Sequence, residues 1–358
     1  MCLFYTRQTK ETKIFIVRPS PNTTPPGHSV LASGPVWSWN GASSRDRYDV
    51  MSTANQINRR SFLAATAKLS AAGLVASRVE TCFAADAVTT RAPAWQLGCY
   101  TRAFDQFEYL VALDAIAEAG FKYVGLMTTK TKDWVMIKTT TPVEEVQAMN
   151  KEAAKRGLKV LSVYGDFSVT DSLAAGIRGL KQLIDDTAIC ECSNLMLAGT
   201  SDEKLYQLYY KTIAECCDYA AAKGVGLSIK PHGGQNATGP QCRKAIDLVA
   251  KKNFGLWYDP GNVFYYSDGK LDPVEDAATV DGLVVGMSVK DFLPPKEVLV
   301  NIGSGKVDFA AVFARLKKGG FVHGPLIVEC LARGPLESVK AAATKARQFL
   351  EQLTGQQR

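Results

Sequence analysis

Eight short apolar runs rich in strand-forming residues follow one another from Trp95 onward: WQLGCY, YVGLM, LKVLSVY, NLMLA, VGLSI, FGLWY, VVGMSV and PLIVE. They end near residues 99, 126, 164, 197, 230, 259, 290 and 329, at intervals of 27 to 39 residues. That spacing leaves room for one helix and two loops per repeat. The segments between them carry helix punctuation. Thr141, Pro142 and Glu144 predict a capping box with proline in the first turn, and Val143, Val146, Met149 and Ala153 then form a stripe that stops at Gly157. Thr200 and Glu203 predict a second box, followed by Leu205, Leu208, Thr212, Cys216 and Ala220 up to Gly224. Leu336, Val339, Ala343, Ala346 and Leu350 mark a final helix. Eight strand–helix repeats predict a closed (β/α)8 barrel, a TIM barrel, as a single domain. An open doubly wound sheet is the competing architecture, and no GxGxxG fingerprint follows an early strand to support it.

The barrel reading begins at residue 88, and the chain ahead of it has a different character. Residues 1–50 show no periodicity and several Pro and Ser, so they are expected to be unstructured. From Asn58 the chain reads NRRSFLAATAKLSAAGLVAS, with Arg59 and Arg60 paired ahead of an Ala-rich apolar stretch. This resembles a twin-arginine export signal over residues 51–87, with Ala85 and Ala87 offering a cleavage site before Val88. The competing reading is a short amphipathic helix against the barrel. Met51 stands just ahead of the signal, which suggests that Met1 is a mis-assigned start and that the protein is exported to the periplasm or an equivalent compartment. The apolar stretch is too short and too rich in small residues to span a bilayer.

The formal charge of +7 gathers in this leader, which holds ten of the 42 Lys and Arg against five of the 35 Asp and Glu. The rest of the chain is near balance, giving no reason to expect nucleic acid or acidic lipid as a partner. Seven cysteines follow residue 88, an odd number, and neither Cys190/Cys192 nor Cys216/Cys217 has CxxC spacing. They are expected to be buried small hydrophobes.

Parallel strands of a barrel deliver their C-terminal residues to one face, where such barrels keep their active sites. Four of the eight runs end in groups able to do chemistry: Lys230 with His232, Asp259 with Asn262, Lys290 with Asp291, and Glu329. Asp259 is followed by Pro260 and Gly261, so it either caps a turn or presents its carboxylate at the barrel mouth. Glu329 ends an apolar run, where an acid needs a cation or a hydrogen-bond donor. Lys230 is able to neutralise these carboxylates, to bind a carbonyl or phosphate, or to act as a base if burial lowers its pKa. Lys290 shares side-chain parity with Ser288. Tyr100, Arg102, Tyr164 and Asp166 are further candidate substrate contacts. Gly303, Ser304 and Gly305 are candidate amide donors for a phosphate, although such residues are ordinary in loops. His323 precedes the last strand and falls at the opposite end.

With these residues in view, the chain from about Trp95 to Leu353 resembles the sugar phosphate isomerase/epimerase group of xylose-isomerase-like TIM barrels, most closely its secreted branch. Asp259, Pro260, Gly261 and Asn262 match the group's sixth strand end, Lys290 and Asp291 its seventh, Glu329 its eighth, and His232 its place after the fifth. The resemblance implies a divalent manganese, magnesium or zinc ion held by two Glu, an Asp and a His, the two Glu also moving protons beside a ketose carbonyl. Here the first Glu position is Lys230 and the His position is Ser288. An ammonium repels a divalent cation as well as failing to bind it, so only His232, Asp259 and Glu329 remain as a ligand remnant.

The implied activity is therefore proton transfer beside the carbonyl of a sugar or keto-sugar at an altered metal site. Glu329 would be the base. Lys230 would stabilise an enediolate, while His232, Asn262, Lys290, Arg102, Tyr100 and Tyr164 would contact the substrate. Two alternatives stand beside it: a keto-sugar lyase working through a lysine Schiff base, and a non-catalytic carbohydrate-binding barrel. The DNA-repair endonuclease branch needs several metal-binding histidines, and only two histidines follow residue 88. The expected partner is a small sugar, and a homo-oligomer is compatible with the sequence.

Overall fold

The computed structural model describes residues 95–130 and 135–356. The predicted runs are strands, each within about a residue of its expected limits: β1 Gln96–Tyr100, β2 Tyr123–Leu126, β3 Lys159–Gly165, β4 Asn194–Leu197, β5 Gly226–Ile229, β6 Phe254–Tyr258, β7 Val284–Val289 and β8 Pro325–Val328. They pair in parallel in sequence order, and β1 closes on β8 through Gln96↔Pro325 to Cys99↔Val328. The sheet is a closed eight-stranded barrel. The helices that return the chain are α1 Tyr109–Glu118, α2 Val143–Lys155, α3 Leu173–Ile189, α4 Tyr206–Ala222, α5 Gly239–Val249, α6 Pro260–Tyr266, α7 Pro273–Ala278, α8 Phe309–Lys318 and α9 Leu336–Thr354. No helix among the described residues is long and apolar enough to cross a membrane. The 1–50 segment, and the export signal and cleavage site expected over 51–87, lie outside the described residues.

The helices bury most of the stripe their sequences carry, although Val143, expected in the α2 stripe, stays 39% exposed. Val146, Met149 and Ala153 of α2 and Val339, Ala343, Ala346 and Leu350 of α9 all sit in the core between helices and sheet. Burying side chains of this size contributes about 1.5–3 kcal/mol for each large one. The expected capping boxes at α2 and α4 do not form. Pro142 is itself the N-cap of α2, and the Thr141 hydroxyl accepts from the Lys138 amide instead (2.8 Å). Asp202 caps the 3-10 turn that precedes α4. The box that does form, Thr238 with Gln241, starts α5. All seven cysteines after residue 88 are buried free thiols, as expected.

A second apolar cluster fills the barrel interior: Tyr100, Met127, Leu161, Tyr164, Met196, Trp257 and Ile327. Large and small residues alternate around it. The Tyr100 ring packs over Gly125, the Trp257 ring over Gly286, and the two rings meet edge to face at 6.4 Å. Below them Asn194 bridges the hydroxyls of Ser162 and Ser228 at 3.0 Å each. This interior plug is the floor on which the polar strand ends stand.

Candidate active site

Lys230, Asp259, Lys290 and Glu329 meet on that floor. The Lys230 ammonium lies 2.9 and 2.7 Å from the two Glu329 oxygens and 3.0 Å from Asp259 Oδ2. The Lys290 ammonium lies 2.5 Å from Glu329 Oε1 and 3.0 Å from the same Asp259 oxygen. Both approaches to Asp259 Oδ2 are ion pairs at angles that fall outside hydrogen-bond geometry. Each ammonium therefore bridges both carboxylates, and two positive charges face two negative ones in a closed quartet. Ser288 Oγ donates to Glu329 Oε2 at 2.6 Å. The β6–α6 turn supplies the rest. Asp259 Oδ1 accepts from the Asn262 amide (2.9 Å), capping α6, while Asn262 Oδ1 accepts from Lys290 (3.0 Å) and its Nδ2 donates to the Pro231 carbonyl (2.6 Å). Gly261 lets this turn reach β7, because a Cβ there would fall 2.7 Å from the Lys290 carbonyl oxygen.

Burial and charge act against each other on these groups. Burial pushes the Glu329 carboxyl up, but Lys230 and Lys290 together outweigh it and hold it well below the usual carboxylate range. Burial pulls Lys290 down, yet Asp259 and Glu329 raise it well above the ordinary lysine value. His232 has no such compensation. Burial first, then Lys230 and Lys290, lower its pKa to about 3, so the imidazole is neutral near pH 7.

A cavity of about 230 Å³ opens above the quartet, lined among others by Arg102, His232, Asn262, Lys290, Lys296 and Glu329. Its remaining walls are Met127, Tyr265, Tyr266 and Val298. Arg102, His232, Asn262, Lys290 and Glu329 are thus brought together as the sequence anticipates. Four other candidates are placed outside the cavity wall. Lys230 is 0% exposed and does not line the cavity, because Asp259 and Glu329 draw its ammonium beneath the surface that Lys290 and Glu329 present. Tyr100 belongs to the interior plug, its hydroxyl directed to Met196 Sδ (3.8 Å). Tyr164 is also in the plug and stands behind the His232 ring, 6.4 Å between centroids. Asp166 accepts from the Tyr209 hydroxyl (3.2 Å), outside the cavity wall. His323 is exposed ahead of β8, at the far end.

Two features of the wall were not anticipated. Tyr265 and Tyr266 follow Asn262 by three and four residues on α6, a helical spacing that could have placed them on the same face. Lys296 comes from the long β7–α8 loop, where it pairs with Asp268 (2.8 Å) and lies over the Tyr265 ring. The amides of Gly303 and Gly305, candidates for a phosphate, instead donate to Asp291 Oδ2 at 3.0 and 2.8 Å.

A family model described as a xylose isomerase-like TIM barrel matches residues 113–353. The chain belongs to this family. Solved structures similar to this xylose isomerase-like barrel include a xylose isomerase domain protein from Planctomyces limnophilus, at 20% identity and TM-score 0.56, covering 73% of this chain and 98% of that one. A D-psicose 3-epimerase solved with D-fructose is 14% identical at TM-score 0.58, covering 73% and 99%. An L-ribulose 3-epimerase is 16% identical at TM-score 0.58, covering 73% and 95%. No curated protein matches the chain.

The residues of this xylose isomerase-like barrel do not suit the divalent ion that the family resemblance implies. Asp259 and Glu329 are already bridged by two ammoniums within 3.0 Å, and a divalent cation among them would face +2 of fixed charge. Among the described residues, no group of three or more His, Cys, Asp and Glu is placed to hold a metal.

Proposed function

We propose that the chain is a sugar isomerase/epimerase-like enzyme that moves a proton beside the carbonyl of a small sugar or keto-sugar, and that it does so without a metal. One observation carries this reading: Lys230 and Lys290 each bridge Asp259 and Glu329 within 3.0 Å, so two ammoniums place between the carboxylates the +2 of a divalent ion. Only Lys290 and Glu329 of the four open to the cavity. In the proposed reaction the Glu329 carboxylate takes the proton from the carbon beside the carbonyl, and the Lys290 ammonium stabilises the oxygen of the enediolate. As Lys290 turns to the substrate oxygen, its depressing effect on Glu329 weakens and the carboxylate becomes a better base. Return of the proton to the adjoining carbon, with the hydroxyl proton passing between the two enediolate oxygens, gives an isomer; protonation of the opposite face by water, with Glu329 giving its proton back to solvent, gives an epimer. Lys230, sealed beneath, orients Glu329 and keeps it ionised. Neutral His232 and Asn262 are placed to bind hydroxyls. A Schiff-base lyase course is disfavoured, because Lys290 is held protonated.

One observation favours the second reading, a non-catalytic carbohydrate-binding barrel. Both Glu329 oxygens are occupied, Oε1 by Lys230 and Lys290 and Oε2 by Lys230 and Ser288, which leaves a weak base. Incubation in deuterium oxide with a panel of keto-sugars including D-fructose separates the two. The enzyme reading expects deuterium at the carbon beside the carbonyl, with loss of about 10²–10⁴-fold in Glu329→Gln. Binding of a sugar with no exchange of any panel member would leave the binding barrel. We also propose export through the 51–87 segment, since the paired Arg59 and Arg60 precede its apolar stretch. An exported chain whose mass begins near Met1 would contradict it.

A further inference from the structure

Asp291 follows Lys290 but faces away from the quartet, and its carboxylate is fully buried. Among the described residues no cation pairs with it. Four backbone amides hold it instead: Phe292 (2.8 Å) and Val307 (3.1 Å) on Oδ1, Gly303 (3.0 Å) and Gly305 (2.8 Å) on Oδ2. Converging amides of this kind form an anion nest, and here the protein supplies its own anion. The nest is built for close approach, since a Cβ on Gly305 would lie 2.3 Å from Asp291 Oδ1.

The four amides come from the two ends of one excursion of the chain. Residue 292 leaves β7 and residues 303–307 return toward α8, while Lys296 and Val298 between them form part of the cavity wall. Other contacts carry the position of this loop into the site. Phe292 stacks on Phe264 of α6 at 5.5 Å, the helix that holds Asn262, Tyr265 and Tyr266. Asn301 Oδ1 accepts from the Ala332 amide, three residues beyond Glu329 (3.2 Å).

We propose that Asp291 is a positioning residue for the ligand site: by filling the nest it ties the two ends of the β7–α8 loop together and so holds the 293–301 wall over Lys290 and Glu329. This rests on the cavity being the ligand site of the proposed function, but not on which sugar enters it. Removing the carboxylate leaves four converging amides without their acceptor, those of Phe292 and Val307 in buried surroundings, and a small free anion of matching chemistry should replace it.

The test is hydrogen exchange of the full chain in wild type and Asp291→Ala, with sodium formate added or with sodium chloride as the ionic-strength control. Protection across 292–307 should fall at least about tenfold in Asp291→Ala, while the strands keep theirs, and formate but not chloride should restore it. Loss confined to 303–307, with 293–301 unchanged, would overturn the proposal, because Asp291 would then only close its own turn. Failure of formate to act, with the strands still protected, would overturn the nest. If Asp291→Ala loses strand protection as well, Asp291→Asn takes its place, and an unchanged 293–301 wall there overturns the proposal in the same way. In the deuterium-incorporation assay, with whichever keto-sugar of the panel the wild type exchanges, the variant should raise KM more than it lowers kcat. Because the exchange of loop amides needs no sugar, failure of this proposal and failure of the proposed activity are read separately.

Discussion

The quartet and the Asp291 nest lie on adjacent residues of one strand end, and each buries carboxylate charge in a different way. In the quartet, flexible side chains neutralise Asp259 and Glu329, and two ammoniums shared between two acids can be redistributed when a ligand arrives. In the nest, backbone amides neutralise Asp291, and their positions are fixed by the loop that the carboxylate organises. On the proposed reading Lys290 and Asp291 divide two tasks between neighbouring residues: one side chain reaches the cavity where a substrate would bind, the other holds the wall beside it. A buried ion pair is weak evidence for stability, since well-packed apolar residues often replace it without loss. Its place beside a cavity is what the proposed chemistry would use.

Removing members of the quartet one at a time is the strongest way to break this comparison. Glu329→Gln should cost the most, about 3–5 kcal/mol, because it leaves two buried ammoniums facing a single carboxylate. Lys230→Met should follow at about 3 kcal/mol, its apolar stem replaced but both acids left with Lys290 alone. Lys290→Met should cost less, about 1–2 kcal/mol, because water in the cavity can reach the exposed side of Glu329, yet it should abolish proton exchange. Urea denaturation and the deuterium assay on the same three proteins check the order. If Lys290→Met proved the more destabilising of the two lysine changes, the division into a sealed and an open ammonium would be wrong.

What the sequence shows of this arrangement depends on how local each cause is. The strands are legible because each is a short run of apolar and β-branched residues between turns, and parity along β5 to β8 correctly brings Lys230, Asp259, Lys290 and Glu329 to one end. Depth within that end is not local. Lys230 and Lys290 have equivalent positions in the sequence pattern, but Lys230 is fully buried against Asp259 and Glu329 while Lys290 stays in the cavity wall. Tyr100 has the parity of a site residue, yet the space over Gly125 draws its ring into the plug. The nest is less legible still, because its four donors are spread from residue 292 to 307 and only the folded loop brings them to one carboxylate.

The smallest expected effect concerns pH, and it sharpens the comparison by separating a compensated group from an uncompensated one. Glu329 has a folded pKa below its unfolded value, so its contribution is present above the unfolded value near 4.5 and is lost as pH falls toward the folded one. His232 behaves in the same direction for a different reason: it is buried neutral, with a pKa near 3 in the folded chain against 6.5 unfolded. Between those values the unfolded chain binds the extra proton, and stability rises with pH. The slope from one such group is at most about 1.4 kcal/mol per pH unit, and less where water reaches the ring. His232→Gln should flatten the stability profile between about pH 6.5 and 5.5, a window in which Glu329 stays almost wholly ionised in both states. An unchanged slope in that window, measured by urea denaturation at several pH values, would show that neither burial nor the two ammoniums hold the imidazole neutral, and that water reaches the ring in the folded chain.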